Sequence, residues 1–184
     1  MTDTACAPAL GAHERTRTIE WADPLGAAKL ARSRSGLEFL QAMVDGEIPP
    51  PPVMSTIGGR LESVSAGTAV FTLTPAEYHY NPIGSVHGGM YCTLLDSAAA
   101  CAVHSMLPAG VAYTSLDLSV RFVGAISVET GPVRCTGTVT HLGRRTALAE
   151  ATLTSSTGKL LATATSNCLI INPVVGEQNR TTNS

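Results

Sequence analysis

One long, alanine-rich stretch stands among segments that read as β-strands, and it limits the folds open to this chain. Small apolar side chains fill most positions of residues 87–106, which end at a Leu-Pro-Ala-Gly run. This pattern predicts the longest helix in the chain. Six segments have the composition and alternation of strands, two before the helix and four after it: 60–65, 68–74, 114–123, 131–141, 146–155 and 160–171.

The connections between these strands indicate how the sheet is built. Short turns such as Ala66-Gly67 and Leu142-Gly143-Arg144 suit antiparallel hairpins and are too short for helical crossovers. A single helix can hide its apolar surface against six strands only if the sheet curls around it. We therefore expect an α+β fold in which an antiparallel sheet of about six strands wraps one long central helix.

The chain divides into three regions. Residues 1–52 are expected to be an N-terminal arm in which Trp21 and Leu25 bury, followed by a short amphipathic helix over 35–46. Four consecutive prolines, residues 49–52, predict an extended spacer. Residues 53–172 form the core domain, and the polar residues 173–184 form a flexible C-terminal tail.

Composition and charge exclude several classes of function. Twelve Lys and Arg residues stand against 14 Asp and Glu, and the absence of a basic run argues against nucleic acid as a partner. Asp96 cuts the apolar helix well short of the roughly 20 residues that a membrane span needs. Without a signal-peptide pattern at the start, we expect a cytoplasmic protein with no membrane partner. Five cysteines without a C-x-x-C pair predict reduced thiols and no metal site.

The junction before the long helix carries the clearest chemistry. Gly88 and Gly89 follow His87 and leave backbone N–H groups bare at the first helical turn, where the helix dipole favours negative charge. Asp96 lies in the middle of the same apolar helix, where an ionisable group is costly unless it has a role. We predict that the two glycine amides hold an oxyanion, while Asp96 attacks a carbonyl carbon or activates water.

The spacing of these groups predicts a dimer. At about 1.5 Å per residue, Gly88 and Asp96 lie roughly 12 Å apart along the helix axis, whereas both must be within about 3 Å of the reacting atoms. One chain cannot supply both groups to one carbonyl. A two-fold dimer, in which the helix start of one subunit faces the helix middle of the other, would create two composite sites.

A short motif and the order of strands resemble those of a known family. The motif consists of Asn81, Gly84, His87, Gly88, Gly89 and Asp96. It is similar to the signature of hotdog-fold acyl-CoA thioesterases of the PaaI-like (phenylacetic-acid-degradation) family, and the resemblance covers residues 53–171. It implies a coenzyme A thioester as substrate, no metal and no separate cofactor, and homodimers that pair into tetramers.

The resemblance also implies roles for individual residues. Asp96 would be the nucleophile or general base, and Gly88 would donate the amide of the oxyanion hole. Asn81 would lie near the attacking water or the thioester, and His87 would brace the glycine turn. The hydroxyl of Ser115 would lie beside the carboxylate of the same subunit. A thioester carbonyl is electrophilic and its thiolate leaves readily, so one carboxylate and an oxyanion hole can suffice.

Further residues are candidates for binding the substrate. Gly89 would contact the substrate at the helix start, and Thr114 is a neighbouring alternative to Ser115 because the loop after the helix leaves the register open. Arg144 and Arg145 at a hairpin tip, with Arg121, could grip the phosphates of coenzyme A or simply solvate the turn. Three tyrosines near the motif could line the acyl pocket: Tyr78, Tyr80 and Tyr113.

Other functions and other chemistry are conceivable for the same residues. The protein could be a non-catalytic acyl-CoA sensor, although the presence of Asp96 argues against this. It could be a hotdog-fold enoyl-CoA hydratase, but the aspartate and histidine pair that such enzymes carry is not found. Cys101 and His104 lie three residues apart on the helix and could form a thiol-imidazole pair, yet no third group accompanies them.

Overall fold

The structure, a computed structural model, describes residues 15–172. The predicted C-terminal tail and the first fourteen residues, which include Cys6, lie outside this range. The helices and strands, in chain order, are α1 (Pro24–Ser33), α2 (Gly36–Val44), α3 (Pro52–Ile57), β1 (Gly59–Ser65), β2 (Thr68–Leu73), α4 (Gly88–His104), β3 (Ala112–Ser115), β4 (Ser119–Phe122), β5 (Val133–Leu142), β6 (Thr146–Ser155) and β7 (Leu160–Ile171). Two short 3-10 helices lie at Glu77–His79 and Val128–Thr130.

Seven strands form one antiparallel sheet around the long helix. The order of pairing is β1-β2-β5-β6-β7-β3, and β4 pairs with β7 beyond the end of β3. Helix α4 packs across the sheet and contacts β2, β5, β6 and β7. The prediction of an α+β fold with one helix inside a curled antiparallel sheet is therefore confirmed.

Small residues allow α4 to lie very close to the sheet. Ala98 is fully buried in α4, and a Cβ atom added to Gly137 of β5 would be 2.1 Å from the Ala98 carbonyl oxygen. Strand β6 presents Ala147, Ala149 and Ala151 to the helix side, all buried. The alanine-rich sequence is thus explained by close backbone packing. Neither α4 nor any other helix within residues 15–172 has the length and hydropathy of a membrane span.

The strand predicted directly after the helix is instead two strands, β3 and β4. Ser115 pairs with Cys168 and Ser119 pairs with Thr165, so four steps on this side oppose three steps on β7. The extra residue is a β-bulge. Because side chains alternate between the two faces, one extra residue moves the side chains on one side of the bulge to the opposite face of the sheet. For this reason Leu116, which strict alternation with Leu118 and Val120 would place on the buried face, is 57% exposed, whereas Ser115 turns inward.

The N-terminal region differs in part from the prediction. The short amphipathic helix is confirmed as α2, where Ser35 and Glu38 form a capping box. Trp21 and Leu25, expected to bury, are exposed, and helix α1 buries none of its residues. Of the four prolines predicted to be extended, Pro52 instead begins α3, because proline is well suited to the first turn of a helix.

Candidate active site

The glycine turn leaves one backbone amide open at the start of α4. His87 is the N-cap residue, and its Nδ1 accepts a hydrogen bond of 2.8 Å from the N–H of Gly89. This is the contact expected of a residue that braces the turn. The N–H of Gly88 has no hydrogen-bond acceptor among residues 15–172. Of the two amides predicted to hold an oxyanion, Gly88 therefore offers the free one, and Gly89 is occupied by His87.

The carboxylate of Asp96 is held by one hydroxyl and opens on a cavity. Ser115 Oγ donates a hydrogen bond of 2.9 Å to Asp96 Oδ1. Oδ2 has no hydrogen-bond partner in the described part of the chain. Asp96 lines a cavity of about 530 Å³ whose walls are mostly apolar. The structure thus brings Ser115, and not the exposed Thr114, to the carboxylate.

The position of these groups along α4 keeps the two predicted halves of the site apart. Gly88 is the first residue of an uninterrupted helix that ends at His104, and Asp96 lies in its middle. The rise of about 1.5 Å per residue separates them by about 12 Å along the axis. A Cβ atom on Gly88 would lie 3.2 Å from Phe122 Cζ at the end of β4, away from the Asp96 cavity.

Asn81 closes its own turn. Its Oδ1 accepts hydrogen bonds from the N–H groups of Ile83 and Ser85, and its Nδ2 donates to Ser85 Oγ at 3.1 Å. This is an Asx-type turn. The side-chain oxygen is therefore engaged in shaping the loop, and one Nδ2 proton is left for any role toward substrate or water.

The three candidate arginines do not form one cluster within a chain. Arg121 pairs with Thr163 of β7, whereas the carbonyl of Arg145 accepts a hydrogen bond from the N–H of Ile170. Seven residues of an extended strand separate these two points, about 23 Å at 3.3 Å per residue. Arg121 and the Arg144–Arg145 pair are all exposed, at opposite ends of β7.

The proposed thiol-imidazole pair does not have the properties of a nucleophile and base. No hydrogen bond joins Cys101 and His104 within the described residues. Burial, with smaller contributions from neighbouring groups, raises the pKa of Cys101 to about 12, so the thiol stays protonated. Burial also lowers the pKa of His104, which keeps its ring neutral. Cys135 and Cys168 are buried free thiols, as expected for small core residues.

Only one of the three candidate tyrosines lines the cavity. Tyr113 lies beside the ring of His104, with 5.0 Å between ring centroids. Tyr78 is exposed beneath the guanidinium of Arg17, and the hydroxyl of Tyr80 accepts a hydrogen bond from the N–H of Val128. The last two tyrosines thus hold loops together.

His79 contributes to the site and was missed by the sequence analysis. It is 3% exposed, and its Nδ1 accepts from the N–H of Ala76, which leaves Nε2 to donate to the carbonyl of Ile57 at 2.7 Å. Its own carbonyl accepts the N–H of His87 at 2.8 Å. His79 therefore ties the end of α3 to the glycine turn. A single histidine in a loop has no sequence pattern that predicts these hydrogen bonds.

Comparisons with known proteins identify the family of this chain. A family model described as Thioesterase superfamily matches residues 83–162. A 1,4-dihydroxy-2-naphthoyl-CoA hydrolase of Listeria monocytogenes serotype 1/2a (strain 10403S) is 32% identical over 110 residues, 59% of this chain and 87% of the relative. A phenylacetic acid degradation-related protein of Ralstonia eutropha JMP134 is 31% identical, with a TM-score of 0.64 over 71% of this chain and 98% of that structure. The chain belongs to the thioesterase superfamily.

Within that superfamily the chain is a PaaI-like hotdog protein. The PaaI protein of the E. coli phenylacetic acid degradation operon is 24% identical and has the same fold, with a TM-score of 0.65 over 76% of this chain and 97% of that structure. The predictions of a PaaI-like hotdog thioesterase and of a thioester hydrolase are confirmed. The family model begins at residue 83, so α1, α2 and α3 lie outside the part that it matches.

Proposed function

We propose that this thioesterase hydrolyses acyl-CoA at composite sites formed by two chains. Asp96 of one chain supplies the carboxylate, and the Gly88 amide of the other binds the oxyanion. One observation carries the proposal: a carboxylate with a free oxygen on an apolar cavity and an unpaired amide lie on the same helix, about 12 Å apart along its axis. The name of the Listeria relative, a naphthoyl-CoA hydrolase, supports coenzyme A as the leaving group.

The reaction needs few groups because the thioester carbonyl is already electrophilic. With Asp96 as general base, water loses a proton to the carboxylate and attacks the carbonyl carbon, the C–S bond breaks and the thiolate of coenzyme A leaves. With Asp96 as nucleophile, Oδ2 attacks the carbonyl carbon, the C–S bond breaks and the thiolate of coenzyme A leaves. Water then hydrolyses the acyl-enzyme anhydride to the free acid and the Asp96 carboxylate. In both routes Ser115 holds Oδ1, which leaves Oδ2 for the attacking water in the first route and for the carbonyl carbon in the second.

The edge of the sheet supports the dimer. Strands β3 and β4 form one edge, and Leu116, Phe122 and Val123 beside it are 56–59% exposed. An exposed apolar edge is a surface on which a second copy can pair. Because Phe122 lies against Gly88, this same edge carries the glycine turn of each chain into the interface. A further pairing of dimers into tetramers and a cytoplasmic location are part of the same proposal.

Coenzyme A would follow the surface outward from the cavity. Arg144 and Arg145 are proposed to bind the phosphates of coenzyme A at one end of β7. Arg121 lies at the other end, so it can bind the same phosphates only if it comes from the partner chain. Asn81 would act through its free Nδ2 proton.

Asp96→Ala is expected to abolish turnover without loss of the dimer, as measured by release of thiol and by size-exclusion chromatography with light scattering.

Mixing two inactive variants tests the composite site. Asp96→Asn and Gly88→Pro homodimers should each be nearly inactive. A mixed dimer has one site in which Asp96 of one chain meets the Gly88 amide of the other, so random pairing should restore about a quarter of wild-type activity. If both groups of a site came from one chain, co-expression would restore nothing. Binding of acyl-CoA without release of thiol by the wild type would instead support a sensor.

A further inference from the structure

The cavity beside Asp96 has a wall that comes from outside the family model. We use the name N-terminal cap for α2, the prolines at 49–51 and α3, that is, residues 36–57. The cap supplies much of the apolar lining, including Phe39, Met43, Val44, Pro50 and Val53. The opposite side of the cavity is formed by α4, β1, β2 and β3. A substrate group that enters this cavity from Asp96 must therefore contact the cap.

The cap is fixed to the core through a close backbone contact. The N–H of Gly36, at the start of α2, donates to the carbonyl of Leu107 at 2.9 Å, just after α4 ends. A Cβ atom added to Gly36 would lie 1.7 Å from the carbonyl oxygen of His104, so only glycine allows this approach. Phe39 and Leu40 are buried in the cluster that joins α2 to the core. The cap is thus packed on the core and forms one wall of the cavity.

The lining of the cavity indicates which ligand it accepts. Aromatic residues make up only 4% of the sequence, yet Phe39, Phe71 and Tyr113 all line this cavity. The His104 ring lies between Phe39 and Tyr113, at centroid distances of 5.7 and 5.0 Å. Such a row of rings packs well against a flat aromatic group. Burial keeps the Tyr113 phenol and the His104 imidazole uncharged. Among the residues that line the cavity, the exposed Arg60 of β1 carries the positive charge.

We propose that the N-terminal cap selects the acyl group of the thioesterase and packs against the ring of an aryl acyl group. This inference rests on the proposed function, because it places the thioester carbonyl at Asp96 and the aryl ring between the cap and α4. The cavity of about 530 Å³ is within the range of small-molecule sites and leaves room for one or two fused rings. The nucleotide part of coenzyme A stays outside.

Two tryptophan variants on the same short helix test the cap. Val53 of α3 lines the cavity and is 46% exposed, so Val53→Trp can fold while its ring covers part of the cavity. Thr56→Trp places the same side chain on the exposed side of α3, away from the cavity, and serves as the matched control. The measurement is the ratio of kcat/KM for benzoyl-CoA to kcat/KM for acetyl-CoA, with succinyl-CoA as the acidic comparison.

The wild type and each variant have a different expected substrate preference. The wild type should favour benzoyl-CoA over acetyl-CoA and over succinyl-CoA by about tenfold or more. Val53→Trp should lower the benzoyl-to-acetyl ratio about tenfold, and Thr56→Trp should leave it unchanged. Met43→Ala removes bulk from the cap and should raise the ratio of 2-naphthoyl-CoA to benzoyl-CoA. Equal ratios in wild type, Val53→Trp and Met43→Ala would overturn the proposal, as would a preference for succinyl-CoA.

Binding of phenacyl-CoA, a thioether that hydrolysis cannot cleave, separates this proposal from the proposed function. By calorimetry, Val53→Trp should bind phenacyl-CoA about tenfold more weakly than the wild type, whereas Thr56→Trp should not, and neither should change the affinity for free coenzyme A. If this pattern appears but no thioester is cleaved, the proposed function is wrong and the role of the cap stands. If hydrolysis is present and phenacyl-CoA binds both variants alike, the cap proposal is wrong and the function stands.

Discussion

Replacing Gly88 by proline would remove a single hydrogen-bond donor from the proposed oxyanion hole. Gly88 is the first residue of α4, a position that proline favours because the N–H there has no partner within the helix. His87, the preceding residue, has φ −62° and ψ 137°, which is the extended conformation that a following proline requires. The N–H of Gly88 makes no hydrogen bond to residues 15–172, so its loss breaks no contact described in the fold.

Gly88→Ala is the matched control for this change. Both substitutions add a Cβ atom 3.2 Å from Phe122 Cζ, so any shift of that ring is common to the two variants. Only proline deletes the N–H. Any difference in catalysis between the two variants therefore reports on the amide itself.

The expected loss is large. Removal of one oxyanion-hole donor costs about 2.7–4 kcal/mol of transition-state stabilisation, or roughly 10²–10³ in kcat. Gly88→Pro should therefore be slower than Gly88→Ala by that factor in release of coenzyme A thiol, while Gly88→Ala keeps most of the activity. Thermal unfolding should show that Gly88→Pro is no less stable, since proline at a compatible position restricts the unfolded chain. Equal turnover by the two variants would mean that the Gly88 amide does not bind the oxyanion.

Three further predictions concern the carboxylate, the core and pH. Ser115→Ala frees Asp96 Oδ1 and should lower kcat about 10–100-fold, with little change in KM. This factor is the equivalent of one hydrogen bond to a charged group. An unchanged kcat would show that the bond does not position the carboxylate. Gly137→Ala should lower the free energy of unfolding by about 1–3 kcal/mol or more in urea, because its Cβ would overlap the Ala98 carbonyl; an unchanged urea midpoint would contradict such close packing. Burial lowers the folded-state pKa of His104 below 6.5, so below that pH the unfolded chain gains a proton that the folded chain resists. The free energy of unfolding should then fall more steeply with decreasing pH in the wild type than in His104→Gln, and parallel curves would refute this.

The strands and the long helix could be predicted because their patterns are local. Strands β6 and β7 begin and end where the sequence indicated, since alternating burial over ten or more residues and short polar turns determine both ends. Helix α4 is interrupted by no proline and is capped by His87 at its start. The order of these elements, with one apolar helix between hairpins, then leaves few ways to bury the helix.

The register at Ser115 could not be predicted in the same way. Strict alternation from Leu116 to Phe122 would turn Ser115 away from the helix, and only the family resemblance indicated that its hydroxyl lies beside Asp96. The structure brings it to Asp96 because one extra residue lies between the two pairs Ser115–Cys168 and Ser119–Thr165. The bulge is held by Asp117, whose carboxylate accepts hydrogen bonds from the backbone N–H and Nδ2 of Asn167 in β7. That contact joins residues far apart in sequence and has no periodic signature.

The N-terminal cap shows the same limit on a larger scale. The spacing of apolar residues predicted α2, but nothing in the local sequence told where α2 would dock. Its position depends on Gly36, which reads as an ordinary helix-start glycine until the backbone of His104 is found against it. Once α2 docks there, Phe39 and Met43 necessarily face the cavity of Asp96, and the region taken for an arm becomes part of the site. The proposed acyl selectivity therefore depends on a contact between distant segments. Gly36→Ala would displace the cap without touching the motif, so it should lower the ratio of kcat/KM for benzoyl-CoA to kcat/KM for acetyl-CoA while Asp96 and Ser115 remain paired.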